Sequence, residues 1–166
     1  GGESCNGQGH TETDKVSFTT KWDSTNSLPS TEGNYYLTED VTLTGGAIST
    51  NTTEECGGGV YVADGMFEMT GGTISRNKAG SQGGGVYTKA DDTFKMAGGT
   101  ISDNTAQIVG GGVGGQLFTM TGGTITGNAS GNEGGGGVHS CGIKLSGAPV
   151  IIGNKRRDNK ESNVFV

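Results

Sequence analysis

Met69-Thr70-Gly71-Gly72-Thr73-Ile74-Ser75-Arg76-Asn77 is the stretch that decides the fold, because the chain repeats it. It returns as Met96-Ala97-Gly98-Gly99-Thr100-Ile101-Ser102-Asp103-Asn104 and as Met120-Thr121-Gly122-Gly123-Thr124-Ile125-Thr126-Gly127-Asn128. Equivalent residues of successive copies lie 24 to 27 residues apart. Such a period indicates a solenoid, in which each repeat buries its apolar face against its neighbours.

Two further landmarks surround this stretch in each repeat. An apolar pair precedes the Gly-Gly turn, as Phe67 and Met69 do, and a Gly-Gly-Gly-Val segment such as 57–60 separates the copies. Apolar residues at alternate positions, bounded by glycine turns, are typical of short strands. The pattern predicts three strands per repeat, which hold Val60, Phe67 with Met69, and Ile74. We therefore expect an all-β parallel β-helix of about five coils, roughly 25 Å long at a strand spacing of ~4.8 Å.

A leucine-rich repeat has a similar period of about 20–29 residues and a similar column of asparagines. That fold places a leucine two residues before the last apolar position of its motif, where this chain has Gly46, Gly72, Gly99 and Gly123. The other half of each repeat carries Gly-Gly-Gly, which opposes a helix. These glycines favour the β-helix.

The composition restricts the class of partner. The chain has 166 residues with 35 glycines, 30% hydrophobic residues, and 17 acidic against 11 basic residues. An acidic chain without a basic stripe disfavours nucleic acid and anionic membranes. No apolar run reaches the roughly 18 residues of a membrane span, so membrane insertion is not expected.

The first part of the chain differs from the repeats. Residues 1–34 are polar and irregular, and we expect them to form an N-terminal cap in which Trp22 covers the open end of the array. The β-helix repeats then occupy residues 35–166. The chain begins Gly1-Gly2-Glu3, as a processed or excised fragment would.

An asparagine follows each repeated isoleucine by three residues. An amide has both donors and an acceptor, so stacked asparagines can bond to one another and to the turn backbone. We therefore predict a structural ladder. Its members are Asn51, Asn77, Asn104, Asn128 and Asn154.

The repeats resemble those of a known group of proteins. Gly-Gly-Thr-Ile-Ser-x-Asn followed by Gly-Gly-Gly-Val-Tyr is similar to the right-handed parallel β-helix regions of bacterial surface and adhesin-like proteins of the gut Firmicutes type. The Gly45–Ile48 segment, Gly-Gly-Ala-Ile, resembles the repeat style of chlamydial polymorphic outer-membrane proteins. The resemblance covers residues 28–166. It implies a right-handed coil and a secreted or cell-surface location, with a role as a stalk or adhesin and without a defined activity.

Two sets of side chains are candidates for ligand binding. Tyr61 and Tyr87 follow inward valines, and a stacked aromatic column can pack on sugar rings, although a β-favouring surface residue explains them as well. Hydroxyl side chains flank the inward isoleucines and form a flat array typical of ice-binding faces, although threonine is also an ordinary exposed strand residue. The hydroxyl residues are Thr73, Ser75, Thr100, Ser102, Thr124 and Thr126.

Parallel β-helices also include polysaccharide-degrading enzymes, which need paired carboxylates in a groove. Asp91 and Asp92 are an adjacent acidic pair in a loop of variable length. Two loop acids are more often solvated turn residues, so we expect no catalytic residue and no enzyme activity.

The three cysteines and two histidines are scattered over the chain. His139 and Cys141 are close in sequence, but His10, Cys5 and Cys56 fall in other parts, so we expect no metal site and no cofactor. Cys56 and Cys141 lie about three coils apart, beyond the ~7 Å that a disulfide spans. In an exported protein we expect Cys5 to pair with Cys56.

These observations favour a non-catalytic extracellular surface module that binds a glycan or a host surface protein. A carbohydrate-active β-helix is the first alternative, and an ice-binding protein that uses the Thr-Ile-Ser/Thr face is the second. End-to-end or face-to-face self-association is a further expectation for a solenoid.

Overall fold

The computed structural model of the chain describes residues 21–22, 35–131 and 134–166, with only the backbone described at 21–22. These residues form β-strands joined by turns and contain no helix. The strands are β1 Lys21–Trp22, β2 Tyr35–Leu37, β3 Val41–Leu43, β4 Ala47–Ser49, β5 Thr52–Thr53, β6 Val60–Val62, β7 Met66–Met69, β8 Thr73–Ser75, β9 Lys78–Ala79, β10 Val86–Met96, β11 Thr100–Ser102, β12 Thr105–Ala106, β13 Val113–Met120, β14 Thr124–Thr126, β15 Ala129–Ser130, β16 Val138–Leu145, β17 Val150–Ile152, β18 Lys155–Arg156 and β19 Val164–Phe165.

The strands form three parallel sheets that run the length of the molecule. Sheet A has the order β1-β3-β7-β10-β13-β16-β19, with β2 and β6 joined to it through β10. Sheet B has the order β17-β14-β11-β8-β4, and sheet C has the order β18-β15-β12-β9-β5. The chain is thus a parallel β-solenoid of about five turns, which confirms the predicted all-β parallel architecture. Its right-handed sense stays a prediction.

Each turn of the solenoid, called a rung below, contributes to all three sheets. Rung 1 spans residues 35–53, rung 2 spans 60–79, rung 3 spans 86–106, rung 4 spans 113–130 and rung 5 spans 138–156. The three predicted strands of a repeat are present, and each rung also has a two-residue strand in sheet C after its asparagine. The sequence pattern missed this strand because two residues, such as Lys78 and Ala79, show no alternation.

The first two predicted strands are separate only in rungs 1 and 2. In rungs 3 to 5 they are continuous as β10, β13 and β16, with a register irregularity between Thr88 and Thr93 in β10. A short linker explains the continuity of rungs 4 and 5, but not that of rung 3. Only four residues lie between Val113 and Phe118, and four between Val138 and Ile143, so no loop can form there. The longer linker of rung 3 is absorbed as a bulge.

The core is a set of columns of matched side chains. Val60, Val86, Val113 and Val138 are aligned in sheet A, as are Phe67, Phe94 and Phe118. The phenylalanine ring centroids of adjacent rungs are 5.2 Å apart. The inward isoleucines of sheet B are aligned in the same way and are 0–1% exposed from Ile48 to Ile125. Each buried side chain contributes about 1.5–3 kcal/mol to stability.

Two kinds of glycine allow the rungs to stack this closely. Gly72 turns the chain with φ 81°, a left-handed conformation that side chains with a Cβ disfavour. Gly84 faces the next rung, where a Cβ would stand 2.3 Å from the carbonyl oxygen of Gly111. The glycines of the repeat therefore serve both turn geometry and backbone contact between rungs.

The two ends of the solenoid are built differently. At the first rung the backbone of Lys21–Trp22 pairs with Thr42 and Leu43 and so extends sheet A. The remainder of the predicted cap, and the Trp22 side chain, lie outside the described residues, so the 1–34 and 35–166 division stays a prediction. At the last rung β19 pairs with the first half of β16. Leu145 and Ile152 there are 50% and 56% exposed.

Candidate functional site

The five repeated asparagines form one continuous ladder along the solenoid. Each side-chain Nδ2 donates to the Oδ1 of the next asparagine at 2.9–3.0 Å, from Asn51 through to Asn154. Each Oδ1 from Asn77 onward also accepts the backbone N–H of the preceding ladder residue at 2.9–3.0 Å. The ladder occupies the inside of the turn between sheets B and C and has a structural role.

The ladder has a sixth member that the sequence pattern missed. Asn163 accepts from Asn154 Nδ2 at 3.1 Å and donates to Glu161 Oε1 at 2.9 Å. It stands only nine residues after Asn154, which is too close for the repeat period. A compact turn in 156–162 brings it back over rung 5, with the N–H of Asn159 bonded to the carbonyl of Arg156.

The outer face of sheet B carries the predicted hydroxyl array. Thr73, Thr100 and Thr124 are aligned in one column, and Ser75, Ser102 and Thr126 are aligned in a second. All six are partly exposed and flank buried isoleucines. The columns continue to Ala47 and Ser49 in rung 1 and to Val150 and Ile152 in rung 5. Four rungs of this face therefore present small side chains in strict register, and rung 5 is apolar.

The prediction that Tyr61 and Tyr87 form an exposed aromatic column is wrong, because both side chains are buried. Tyr61 is 0% exposed and Tyr87 is 6% exposed, and both pack with Cys56 in a second apolar cluster outside the main core. Their rings stack along the axis, with centroids 5.2 Å apart for Tyr36 and Tyr61 and 5.5 Å apart for Tyr61 and Tyr87. Burial raises the pKa of both Tyr61 and Tyr87. The alternation of the strand correctly predicted that Tyr61 and Tyr87 lie on the outer side of sheet A. That side is not open to solvent at these positions, because the second apolar cluster covers it.

The column ends at rung 4 because Gly114 replaces the tyrosine. A Cβ on Gly114 would stand 2.8 Å from the backbone nitrogen of Gly83, so the turn of the preceding rung leaves no room for a side chain. One rung further on, His139 stacks on Phe165 with a centroid distance of 5.2 Å and an interplanar angle of 7°.

The acidic loop pair lies at the edge between the two halves of sheet A. Asp91 is exposed with φ 70°, and Asp92 is partly exposed and accepts the N–H of Gly65 at 3.1 Å. Burial raises the pKa of Asp92, and the negative charges of Asp64 and Asp91 add to the rise. Asp40 accepts the N–H of Met66 at 2.8 Å on the same edge. These carboxylates bind the loops of neighbouring rungs.

The cysteines and His139 are in different environments. Cys56 is buried and disulfide-bonded, whereas Cys141 is free and exposed. The predicted partner Cys5, and His10, lie outside the described residues. Nδ1 of His139 is buried without a hydrogen-bond partner among the described residues, and burial lowers its pKa. Within 35–131 and 134–166, no group of three or more His, Cys, Asp or Glu side chains is placed to hold a metal ion.

Comparison of the chain with protein-family models, curated proteins and solved structures finds no match in any of the three. Within the described residues there is also no helix with the length and apolar character of a membrane span.

Proposed function

We propose that the chain is a non-catalytic surface module of a bacterial extracellular protein, acting as a rigid stalk with an adhesive face for a glycan or a host protein. The observation that carries the proposal is the in-register hydroxyl array on the outer face of sheet B. Its rows repeat at the strand spacing of ~4.8 Å. A periodic face suits a periodic ligand, because each further rung adds the same contact and the gains multiply in avidity.

The ladder supports the role as a rigid stalk, and the disulfide supports the extracellular location. Hydrogen bonds between asparagines tie every rung to the next along the axis, as a stiff spacer requires. Disulfides persist mainly in secreted and surface proteins. The disulfide-bonded state of Cys56 therefore favours an extracellular location.

The test is a glycan array together with immobilised host-surface proteins, read with the wild-type chain and a face variant. Thr100→Val combined with Thr124→Val removes two hydroxyls from one column while keeping side-chain shape and strand preference. Thr121→Val, at an exposed turn position outside sheet B, is the matched control. We expect the face variant alone to lose binding. Equal binding by all three proteins would contradict adhesion through sheet B.

A carbohydrate-active module is a second candidate, favoured by the raised pKa of Asp92 beside Asp64. A carboxyl group whose pKa is raised by burial and by a neighbouring carboxylate is one feature of an acid and base pair. A reducing-end or unsaturated-product assay on bound polysaccharides tests it. Turnover that disappears in Asp91→Ala and Asp92→Asn would support the enzyme, and binding without product would support the adhesive module.

An ice-binding function is a third candidate and uses the same hydroxyl array. Two columns of hydroxyls about 7 Å apart along the strand, with rows ~4.8 Å apart, form a flat lattice that can order water. Thermal hysteresis with faceted ice crystals would support it. Rounded crystals and no hysteresis would exclude it.

A further inference from the structure

A shallow groove on the outer face of sheet A lies apart from the hydroxyl array and begins at Thr93, next to the acidic pair. It spans rungs 3 to 5 and has a volume of about 260 Å³. Thr93, Leu117 and Gly142 form one aligned outward column, and Thr119 and Lys144 belong to the neighbouring one. Phe118 and the strand around Ile143 form the floor.

The groove exists because a glycine follows a leucine in the outward column. Leu117 is 48% exposed, although outward positions of a strand are usually polar. Gly142 has no side chain to cover it, and a Cβ there would meet Leu117 Cδ2 at 3.1 Å. The side of Leu117 that faces rung 5 therefore forms an open apolar wall.

Lys144 lines this groove, and Lys95 stands in the same outward column two rungs earlier, so both place positive charge beside it in a chain of net charge −6. Lys95, Thr119 and Lys144 are aligned on adjacent rungs, so the two lysines stand on either side of one threonine. Both lysines are exposed, and neither forms an ion pair within the part of the chain that the structure describes.

Two carboxylates near this column are directed toward rung 2. Glu68 is aligned with Lys95 but lies in rung 2, on the side away from Thr119. Asp92 precedes Thr93 in sequence, yet its Oδ1 accepts from Gly65, also in rung 2. The residues that line the groove include one lysine and no carboxylate.

We propose that this groove binds a carboxylated sugar, with the apolar face of the ring on Leu117 and the carboxylate between Lys95 and Lys144 over the Thr119 hydroxyl. The inference rests on the glycan-binding function proposed above and adds the site and the class of saccharide. Binding sites of this kind combine an apolar surface with a few polar groups that fix orientation. An ammonium group also forms a stronger hydrogen bond to a carboxylate than to a neutral hydroxyl.

The experiment compares two probes, a disaccharide that contains glucuronic acid and the same disaccharide with its carboxyl reduced to an alcohol. Binding is measured by calorimetry at low and high salt. We expect the wild-type chain to prefer the carboxylated probe and to lose that preference in salt, because exposed charges are screened. Lys95→Gln combined with Lys144→Gln should lower the affinity for the carboxylated probe about tenfold and leave the affinity for the reduced probe unchanged.

Matched variants separate the groove from general charge effects. Lys78→Gln combined with Lys89→Gln removes the same charge from exposed positions elsewhere and should change neither affinity. Gly142→Val fills the groove and Leu117→Ser removes its apolar wall, so each should lower the affinity for both probes. Circular dichroism and thermal melting confirm that each variant is folded.

Three outcomes would overturn the proposal. Equal losses in the two double-lysine variants would show a general charge effect, and unchanged binding in Gly142→Val would place the ligand elsewhere. If neutral glycans bind the wild-type chain and no carboxylated sugar is preferred, the glycan-binding function stands and the groove assignment fails. If no saccharide of either kind binds, the glycan-binding function fails together with this inference.

Discussion

Single side chains of the ladder satisfy several polar groups at once. Oδ1 of Asn104 accepts from the backbone and side-chain nitrogens of Asn77, and its Nδ2 donates to the carbonyl of Ile74 and to Asn128 Oδ1. These groups are buried, so no water replaces a lost partner. An unsatisfied buried polar group costs about 1–3 kcal/mol.

Asn104→Ala should therefore lower the free energy of unfolding by about 1–3 kcal/mol or more, because several partners lose their bonds together. Chemical denaturation followed by circular dichroism measures the change. Ser102→Ala, two residues away on the outer face, is the control and should have a small effect. A denaturation midpoint unchanged in Asn104→Ala would show that the ladder contributes little to stability.

The residue before each of the five repeated asparagines is held in a left-handed conformation, with φ 61° at Thr50 and 67° at Gly127. This conformation costs an ordinary residue roughly 1–2 kcal/mol, and the extra chain entropy of glycine offsets about 0.5–1 of that. Thr50→Gly should thus raise the free energy of unfolding by about 0.5–1 kcal/mol. Thr52→Gly, in strand β5, should lower it. A lower stability in Thr50→Gly would mean that its hydroxyl bond to the Ser49 carbonyl, 2.6 Å long, outweighs the strain.

Residue identity and spacing predicted the inward side chains and the asparagine column, because both repeat with the period. They did not predict the burial of Tyr61. Alternation assigns a residue to one side of a strand, but it cannot report what covers that side. Asn163 was missed for a related reason, since a folded-back turn brought it to the ladder outside the repeat spacing.

At the scale of whole elements, adjacent rungs meet through their backbones at the glycine segments. A Cβ at Gly84 would lie 2.3 Å from the Gly111 carbonyl oxygen and 2.5 Å from the Thr105 carbonyl oxygen. Both are backbone atoms, so no side-chain rotation relieves the clash. Adjacent rungs can therefore approach this closely at the glycine segments only because no side chain stands between them.

Gly84→Ala should destabilise the protein by about 1–3 kcal/mol, as overpacking does in tight interiors. Thermal melting compares it with Gly142→Ala, whose Cβ would meet only the flexible end of Leu117. We expect a large fall in melting temperature for the first variant and a small one for the second. Similar melting temperatures for both would show that the rungs can separate at the glycine segment without loss.

The sequence predicted the existence of the main strands better than their limits. Strong alternation marked Val60, Phe67 and Ile74 as strand residues, and the structure confirms this. Whether two strands join does not follow from linker length alone, because the longer linker of rung 3 lies within the continuous strand β10 as a bulge. Composition does not determine that outcome.

For the whole molecule, acid should weaken the last rung first. Burial lowers the pKa of His139 in the folded state. The folded state therefore disfavours the protonated ring, so its stability is complete above the unfolded pKa of about 6.5 and falls as pH drops below it. Side-chain hydrogen bonds from Arg156 and Asn163 lower the pKa values of Asp158 and Glu161, so their contribution is lost at still lower pH.

His139→Phe should keep the stack on Phe165 and remove the titration. Unfolding midpoints at pH 7.5 and 5.5 should differ in the wild-type chain and differ less in the variant. Arg76→Gln, at an exposed position in rung 2, is the control and should keep the wild-type difference. An identical pH dependence in His139→Phe would assign the acid effect to other groups.

The fold as a whole and the hydroxyl array followed from the repeat period, whereas the groove of sheet A did not. The hydroxyl array was visible in the sequence because it shares the period of the core. The groove beside Leu117 was not visible, since it depends on one leucine and one glycine in adjacent rungs becoming neighbours. Features that occur once are hidden from an argument based on repetition.

The ladder bonds have the same geometry although the spacing between their members varies from 24 to 27 residues. Length differences are absorbed between the two halves of sheet A, in part as the bulge in β10, and the hydrogen bonds between rungs are the same throughout. An in-frame duplication of one repeat would thus insert a complete new rung, with its own ladder asparagine and its own layer of core side chains. It would lengthen the molecule by ~4.8 Å. Duplication of repeats can in this way change the length of the solenoid while every contact between rungs is kept.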